Sequence, residues 1–279
     1  MVYTAPMPVP DRPRAVVTGA ASGLGRAFAL EIARRGGATL VADRDTAGSD
    51  ETVRLVREAG GRAEAVACDV TRVADVERLV SEAERALGGV DIVVNNAGVA
   101  VAGPVGKVPL DDWRWIIDIN LFGVIHGCHV FVPYFRNRGS GHVLNVASAA
   151  GLISAPEMAP YNVTKAGVVA LSETLWGELD GTGVGVTVLC PTFFRTNIGK
   201  SARSHVEGDA MSALDALMDR AKVQAADVAR YALDAAAANK LYALPHGDGR
   251  WGWRVKRAAP ELFKRVAARV AKRMKTHPQ

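Results

Sequence analysis

Short, continuously apolar runs alternate along this chain with longer segments of helical period, and that alternation constrains the fold more than any other feature. RAVVTG (14–19), ATLVAD (38–43), EAVACDV (64–70), VDIVVNNAG (90–98), HVLNVAS (142–148) and GVTVLCP (185–191) read as buried strands. Between them, Leu24, Phe28 and Ile32 within 24–36, and Val76, Leu79 and Val80 within 73–87, recur at helical spacing, and 46–59, 109–137 and 158–180 read as further helices. Strands that are apolar on both faces must be covered on both faces, and strands joined through helices run parallel. With right-handed crossovers, the expectation is a single-domain α/β fold, a Rossmann-type doubly wound parallel sheet with helices on both faces.

The rest of the chain divides around that domain. Residues 1–13 hold four prolines and no apolar stretch of the kind a secretory leader needs, so they read as an extended arm. The domain proper is expected over 14–249, with the less regular 197–224 as a substrate lid. No uninterrupted apolar run reaches the ~20 residues that span a bilayer. Residues 250–279 carry ten Lys/Arg against the one acid Glu261, so the formal net charge of +5 belongs to this extension and the domain itself is net negative. The three cysteines, Cys68, Cys128 and Cys190, are scattered and form no CxxC pair, which argues against a disulfide scaffold or structural zinc and fits a reducing, cytoplasmic setting.

The first strand runs into Thr18-Gly19-Ala20-Ala21-Ser22-Gly23-Leu24-Gly25. Glycines at a strand-to-helix bend let backbone approach a pyrophosphate, whose charge then sits on the helix N-terminus. Asp43 closes the second strand, 24 residues after Gly19. A carboxylate there can accept from both adenosine ribose hydroxyls, which favours NAD; Arg44, immediately after it, could instead pair with a 2′-phosphate, the alternative being NADP. Neither metal nor nucleic acid is indicated by any motif.

Ser148 closes the fifth run, and Tyr161 and Lys165 follow 13 and 17 residues later. At i and i+4, the phenol and the ammonium share one helix face. A tyrosine ionises near ~10, too high for a base at neutral pH. An ammonium beside it, with a positively charged nicotinamide, would stabilise the phenolate and make Tyr161 an acid/base. The Ser148 hydroxyl could hold the substrate oxygen.

Together these motifs resemble the short-chain dehydrogenase/reductase family over residues 14–245: TGAASGLG (18–25), Asp43, CDV (68–70), NNAG (95–98), Asn120, Ser148, YNVTK (161–165) and CPTFFRT (190–196) stand in the family's order. The resemblance implies an NAD(P)-dependent oxidoreductase that passes a hydride between a nicotinamide and a secondary alcohol or ketone. It further implies that Gly19, Ser22, Gly23, Leu24 and Gly25 flank the pyrophosphate, Asp43 the ribose, and Asp69 and Val70 the adenine. Asn96, Ala97 and Gly98 would line the cofactor, Asn120 would hold a proton-relaying water, and Lys165 would also bind the nicotinamide ribose. Pro191 and Thr196 would lie against the nicotinamide. Thr192 departs from the family's usual glycine after this proline. The resemblance implies a homodimer through the helices at 109–137 and 158–180, while the basic extension leaves a homotetramer open.

Ser148, Leu152, Met158, Tyr161, Phe193 and Phe194, with Ile153, suggest an apolar substrate pocket, suited to a lipid-like, terpenoid or steroid alcohol. In the extension, Phe263, Val266, Val270 and Met274 fall on one helical stripe among basic residues, a pattern of peripheral membrane contact through 250–275; packing on the chain's own domain or on a partner subunit is the more frequent use of such a stripe. The competing reading from another class is a catalytically idle protein that senses a dinucleotide.

Overall fold

The computed structural model describes residues 9–195, 197–199, 202–206, 221–265 and 269. Seven strands form one parallel sheet: β1 (Arg14–Thr18), β2 (Ala38–Asp43), β3 (Arg62–Ala67), β4 (Ile92–Asn95), β6 (Gly141–Val146), β7 (Val184–Leu189) and β9 (Tyr242–Ala243). They lie in the order β3-β2-β1-β4-β6-β7-β9. Two further two-residue strands, β5 (Val101–Ala102) and β8 (Arg203–Ser204), pair with each other outside this sheet. The central strands are β-branched and apolar, and β7 is buried at every position. The layering follows from that: α1 (Gly23–Arg34), α2 (Thr46–Glu58) and α8 (Ala225–Ala237) cover one face, and α3 (Val73–Leu87), α5 (Gly123–Arg138) and α7 (Ala159–Glu178) the other.

The strand order reverses between β1 and β4, both of which pair in parallel register with their neighbours. At such a reversal the connections leave in opposite directions and a crevice opens beyond the carboxyl ends of the strands. The helix from Leu110 to Arg138 is long and apolar enough to cross a membrane by length and composition. Val124, Phe131 and Phe135 on it are nevertheless buried against the sheet, which accounts for its hydropathy. It is not uniform: between α4 (Leu110–Ile117) and α5, Asp118–Phe122 make a wide π turn.

Several boundaries differ from the sequence reading. The fifth run stops being a strand at Val146, so Ser148 stands two residues beyond the sheet in the loop that leads to α6 (Ala150–Ile153). A helix, α9 (Gly247–Ala258), runs straight through the boundary drawn at 249/250, so the start of the basic extension is continuous with the domain. It packs there: Gly252 faces Ile153, the Lys256 ammonium donates to the Leu152 carbonyl at 2.7 Å, and the Trp253 ring lies 4.9 Å from that of Tyr242. Of the anticipated apolar stripe, Phe263 is described and partly buried; Val266, Val270 and Met274 fall outside the described residues.

Helix α5 reaches the sheet through Gly127. A Cβ there would lie 2.0 Å from Asn95 Oδ1 on β4, whose amide nitrogen donates to Asn145 Oδ1 on β6 at 2.8 Å. Gly127→Ala is therefore expected to cost about 1–3 kcal/mol by overpacking. The check is urea unfolding: a lowered midpoint with an unchanged slope.

Candidate active site

The carboxyl end of β1 bends at Gly19, whose φ of +65° is a left-handed value that disfavours other residues. That bend is locked to the exit of β4. The Thr18 hydroxyl accepts the Asn96 and Ala97 N–H groups at 3.0 and 3.2 Å, and the Asn96 amide donates to the Thr18 and Gly19 carbonyls at 2.8 and 3.1 Å. Gly25 allows α1 to start close by, since a Cβ on it would sit 2.1 Å from the Gly19 carbonyl oxygen. Gly25 thus seats the helix instead of lining the cleft, which corrects its expected contact with a pyrophosphate.

A single cleft of about 710 Å³ runs over these ends. Gly19, Ser22, Gly23, Leu24, Asp43, Arg44, Asp69, Val70, Asn96, Ala97 and Gly98 line it toward β2, and Ser148, Met158, Tyr161, Lys165, Pro191, Phe193 and Phe194 toward β7. The N-cap Ser22 makes no side-chain cap bond, and the first turn of α1 contains no acid. The first N–H groups of this helix therefore remain available for an anion. Asp43 is fixed at the β2 end: one carboxylate oxygen accepts the Ala21 N–H at 3.0 Å and the other the Asp45 N–H at 3.0 Å. An elongated cleft with a helix N-terminus at its middle, a seated carboxylate at one end and a hydroxyl pair at the other fits a dinucleotide. The glycine turn, Ser22 and Leu24 would hold its pyrophosphate, Asp43 its ribose, and Asp69 and Val70 its adenine; the group would supply hydride chemistry beside Tyr161.

At the other end, the Tyr161 and Ser148 side chains line the cleft together. Ser148 Oγ also accepts the Ala150 N–H at 3.1 Å. Lys165 is 3% exposed, donates to the Val146 carbonyl at 2.8 Å, and holds its ammonium 5.8 Å from the centre of the Tyr161 ring. Burial pushes the Tyr161 phenol above its ordinary value, against the pull of the neighbouring Ser148 hydroxyl. The Lys165 ammonium faces the Val146 carbonyl, and its own burial brings Lys165 down to about 8. Asn120 is fully buried behind the cleft. Its side chain accepts the Val99 N–H at 2.8 Å and donates to the Val99 carbonyl at 2.9 Å, so its amide ties the π turn to the loop after β4.

Two expected residues need restating. Leu152 is buried in the core beneath α6 and does not reach the cleft; Ile153, about a hundred degrees further round the short helix, does. Phe194 is 7% exposed and stacks on His246 at 6.0 Å, so it is core as much as wall, whereas Phe193 is open. Thr196 lies outside the described residues, as does most of the anticipated lid.

The cleft also uses residues that the sequence reading passed over, Trp115, Asp118, Ile119, Asp248 and Gly249, and from the expected lid it takes Ile198. The Thr192 hydroxyl donates to Asp248 Oδ1 at 3.2 Å, and a Cβ on Gly249 would meet Thr192 Cγ2 at 2.8 Å. The signal was present as the His-Gly-Asp-Gly run (246–249) just after the last strand, which opens α9 beside the cleft.

Comparison with known proteins agrees with this geometry. Residues 13–207 match the family model for short chain dehydrogenases. The chain is 38% identical over 205 residues to 3beta-hydroxysteroid dehydrogenase 1 of Eggerthella lenta, covering 73% of this chain and 78% of that protein. It is 36% identical over 193 residues to the probable oxidoreductase EphD of Mycobacterium tuberculosis, 69% of this chain but 33% of that longer protein. Among solved structures, a short-chain dehydrogenase/reductase from Burkholderia phymatum in complex with NAD superposes with a TM-score of 0.82 at 36% identity, covering 89% of this chain and 94% of that one. A short-chain dehydrogenase from Sphingobium yanoikuyae in complex with NADPH gives 0.72 at 28% identity, covering 90% and 94%.

The buried lysine makes a signed prediction. Below pH 8 the folded and the unfolded chain both carry protonated Lys165, and the fold bears the cost of burying it. Between about 8 and the ordinary 10.5 only the unfolded chain holds that proton, so stability rises with pH. The wild type is expected to gain stability relative to Lys165→Met across that window and not below it, measured by urea unfolding at a series of pH values.

Proposed function

The chain belongs to the short-chain dehydrogenase/reductase family of NAD(P)-dependent oxidoreductases, and on that premise we propose that it interconverts an apolar secondary alcohol and its ketone, with NAD as the preferred cofactor and Tyr161 as the proton-transferring residue. The observation that carries the reading is the convergence of Ser148, Tyr161 and Lys165 at one end of a cleft whose other end presents Asp43.

Ser148 and Tyr161 offer two hydroxyls to one substrate oxygen. In reduction Tyr161 donates its proton to that oxygen; in oxidation it takes the proton back, and the Ser148 hydroxyl holds the oxygen in place. Lys165, close to neutrality at about 8, can carry charge to or from this corner at modest cost. A nicotinamide held in this cleft would supply the hydride chemistry, and the protein supplies position and field. The apolar wall of Ala149, Ile153, Met158 and Phe193 supports a hydrocarbon-rich substrate. The negative charge of Asp43, held by two backbone N–H groups, supports NAD over a 2′-phosphorylated cofactor. The small-molecule partner is accompanied in this reading by a second copy of the chain, through the faces where Phe122, Val163 and Trp176 stand exposed.

Tyr161→Phe is expected to lower ketone reduction about 10²–10⁴-fold, the usual worth of a general acid. Calorimetry should find its NADH affinity little changed. A variant that keeps full turnover would remove Tyr161 from the mechanism. A wild type that binds NADH but turns over no alcohol or ketone in a broad panel would favour the idle, sensing alternative.

A further inference from the structure

Residues 202–206 are anchored at two levels. Their backbone adds a parallel strand to the loop after β4: Val101 pairs with Arg203 and Ala102 with Ser204, with the Arg203 N–H donating to the Ala100 carbonyl at 3.0 Å and the His205 N–H to the Ala102 carbonyl at 2.8 Å. The same loop is bonded on its other side to Met158, where Gly103 bridges to it and the Gly103 N–H donates to the Glu157 carbonyl at 2.6 Å. A rim of three strips of backbone results, with Met158 lining the cleft.

A two-residue strand pair is too short to hold itself. The second anchor is one carboxylate. Asp112, in the first turn of α4 and with a side chain 12% exposed, accepts from Arg203 through Oδ1 at 2.6 Å and pairs with His205 Nε2 through Oδ2 at 2.6 Å. The guanidinium of Arg203 also lies 3.8 Å from the ring centre of Trp115, three residues along the same helix face from Asp112. Trp115 lines the cleft together with Ile119 from the following π turn and with Ile198. Gly103 permits the close approach, since a Cβ there would stand 2.9 Å from His205 Cβ.

We infer that Asp112 latches residues 202–206 onto α4 and that this latch holds Trp115 as a wall of the substrate end of the cleft. Asp112 and Arg203 are then positioning residues, and Trp115 is a specificity-determining contact for a bulky alicyclic ketone or alcohol. Substrate size, more than the chemistry at Tyr161, depends on the latch. The inference rests on the reductase reading above for its kinetic consequence, but not for the latch itself.

The test uses the full-length protein with NADH and two probe ketones, trans-1-decalone and butanone. Asp112→Asn removes the shared charge. Asp111→Asn is the control, because Asp111 occupies the same first turn, with an 89% exposed side chain, and pairs locally with Arg114. Tryptic cleavage after Arg203, followed by mass spectrometry, reads latch opening without any turnover. Asp112→Asn is expected to speed that cleavage about tenfold, as the open population rises, and Asp111→Asn to leave it unchanged. Asp112→Asn and Arg203→Gln are expected to raise KM for decalone about tenfold with kcat unchanged, and to leave butanone kinetics alone. Trp115→Leu should reproduce the decalone effect while speeding cleavage less than Asp112→Asn does, since it removes only the ring on which Arg203 rests. Wild-type cleavage in Asp112→Asn, or equal acceleration by Asp111→Asn, overturns the latch. Equal losses on both ketones overturn the wall. If the wild type reduces neither ketone, the reductase reading is what fails, and the cleavage rates alone decide the latch.

Discussion

Everything in the site depends on how the ends of two neighbouring strands are held. Thr18 and Gly19 at the end of β1 and Asn96 and Ala97 at the exit of β4 exchange four hydrogen bonds, side chain to backbone in each direction. Backbone polar groups at a bend are normally left to water or to a ligand; here they are satisfied internally, so the bend keeps its shape. That fixes where α1 begins, and its free N–H groups then face the middle of the cleft. The same lock carries Ala97 and Gly98 past the cleft floor toward Asn120 and Lys165.

The catalytic end is held by a second set of buried polar contacts, on the other side of β4. Asn95 is bonded to Asn145, and Asn145 donates to Ser172 at 3.0 Å, which ties β4, β6 and α7 together. Tyr161 and Lys165 lie on that same α7, and Ser148 follows β6. Asn120 clamps the π turn to Val99. Buried side-chain contacts of this kind favour one arrangement, because most alternatives strand further polar groups in a low-dielectric interior; Asn95 Oδ1 is already buried without a partner among the described residues. The protein thereby tolerates a lysine buried next to a tyrosine, where desolvation favours the neutral form of each, raising the phenol above its ordinary value and bringing the ammonium down to about 8.

The sheet, its helices and the Gly19, Asp43, Ser148, Tyr161 and Lys165 constellation were legible in the sequence, because each rests on a local signal: an apolar run, a glycine bend, an i, i+4 pair. What was not legible depends on tertiary direction. Leu152 and Ile153 are equally apolar, and only the seating of α6 decides that the first enters the core and the second the cleft. Gly25 looks like the other glycines of its turn, yet its constraint is the carbonyl of Gly19 packed against it. Asp112, Trp115 and Arg203 lie in segments with no motif and come together only when β8 pairs with β5. A boundary was drawn at 249/250 because the charge turns basic there, although Gly249, Gly252 and Trp253 carry the spacing of one packed face that crosses it. The burial around Tyr161, which raises its phenol above the ordinary value, was not legible either, since sequence adjacency shows the ammonium but not the desolvation.

The central claim is that one cleft is shaped for a dinucleotide and reads its adenosine end with Asp43. The most direct test is calorimetric titration of the full chain with NADH and, separately, NADPH, at one fixed salt concentration. The account predicts binding of both, with NADH clearly the tighter. Tighter binding of NADPH would contradict the role given to Asp43 and transfer it to Arg44. Binding of neither would contradict the cleft itself, and with it the assignment of the residues around Tyr161.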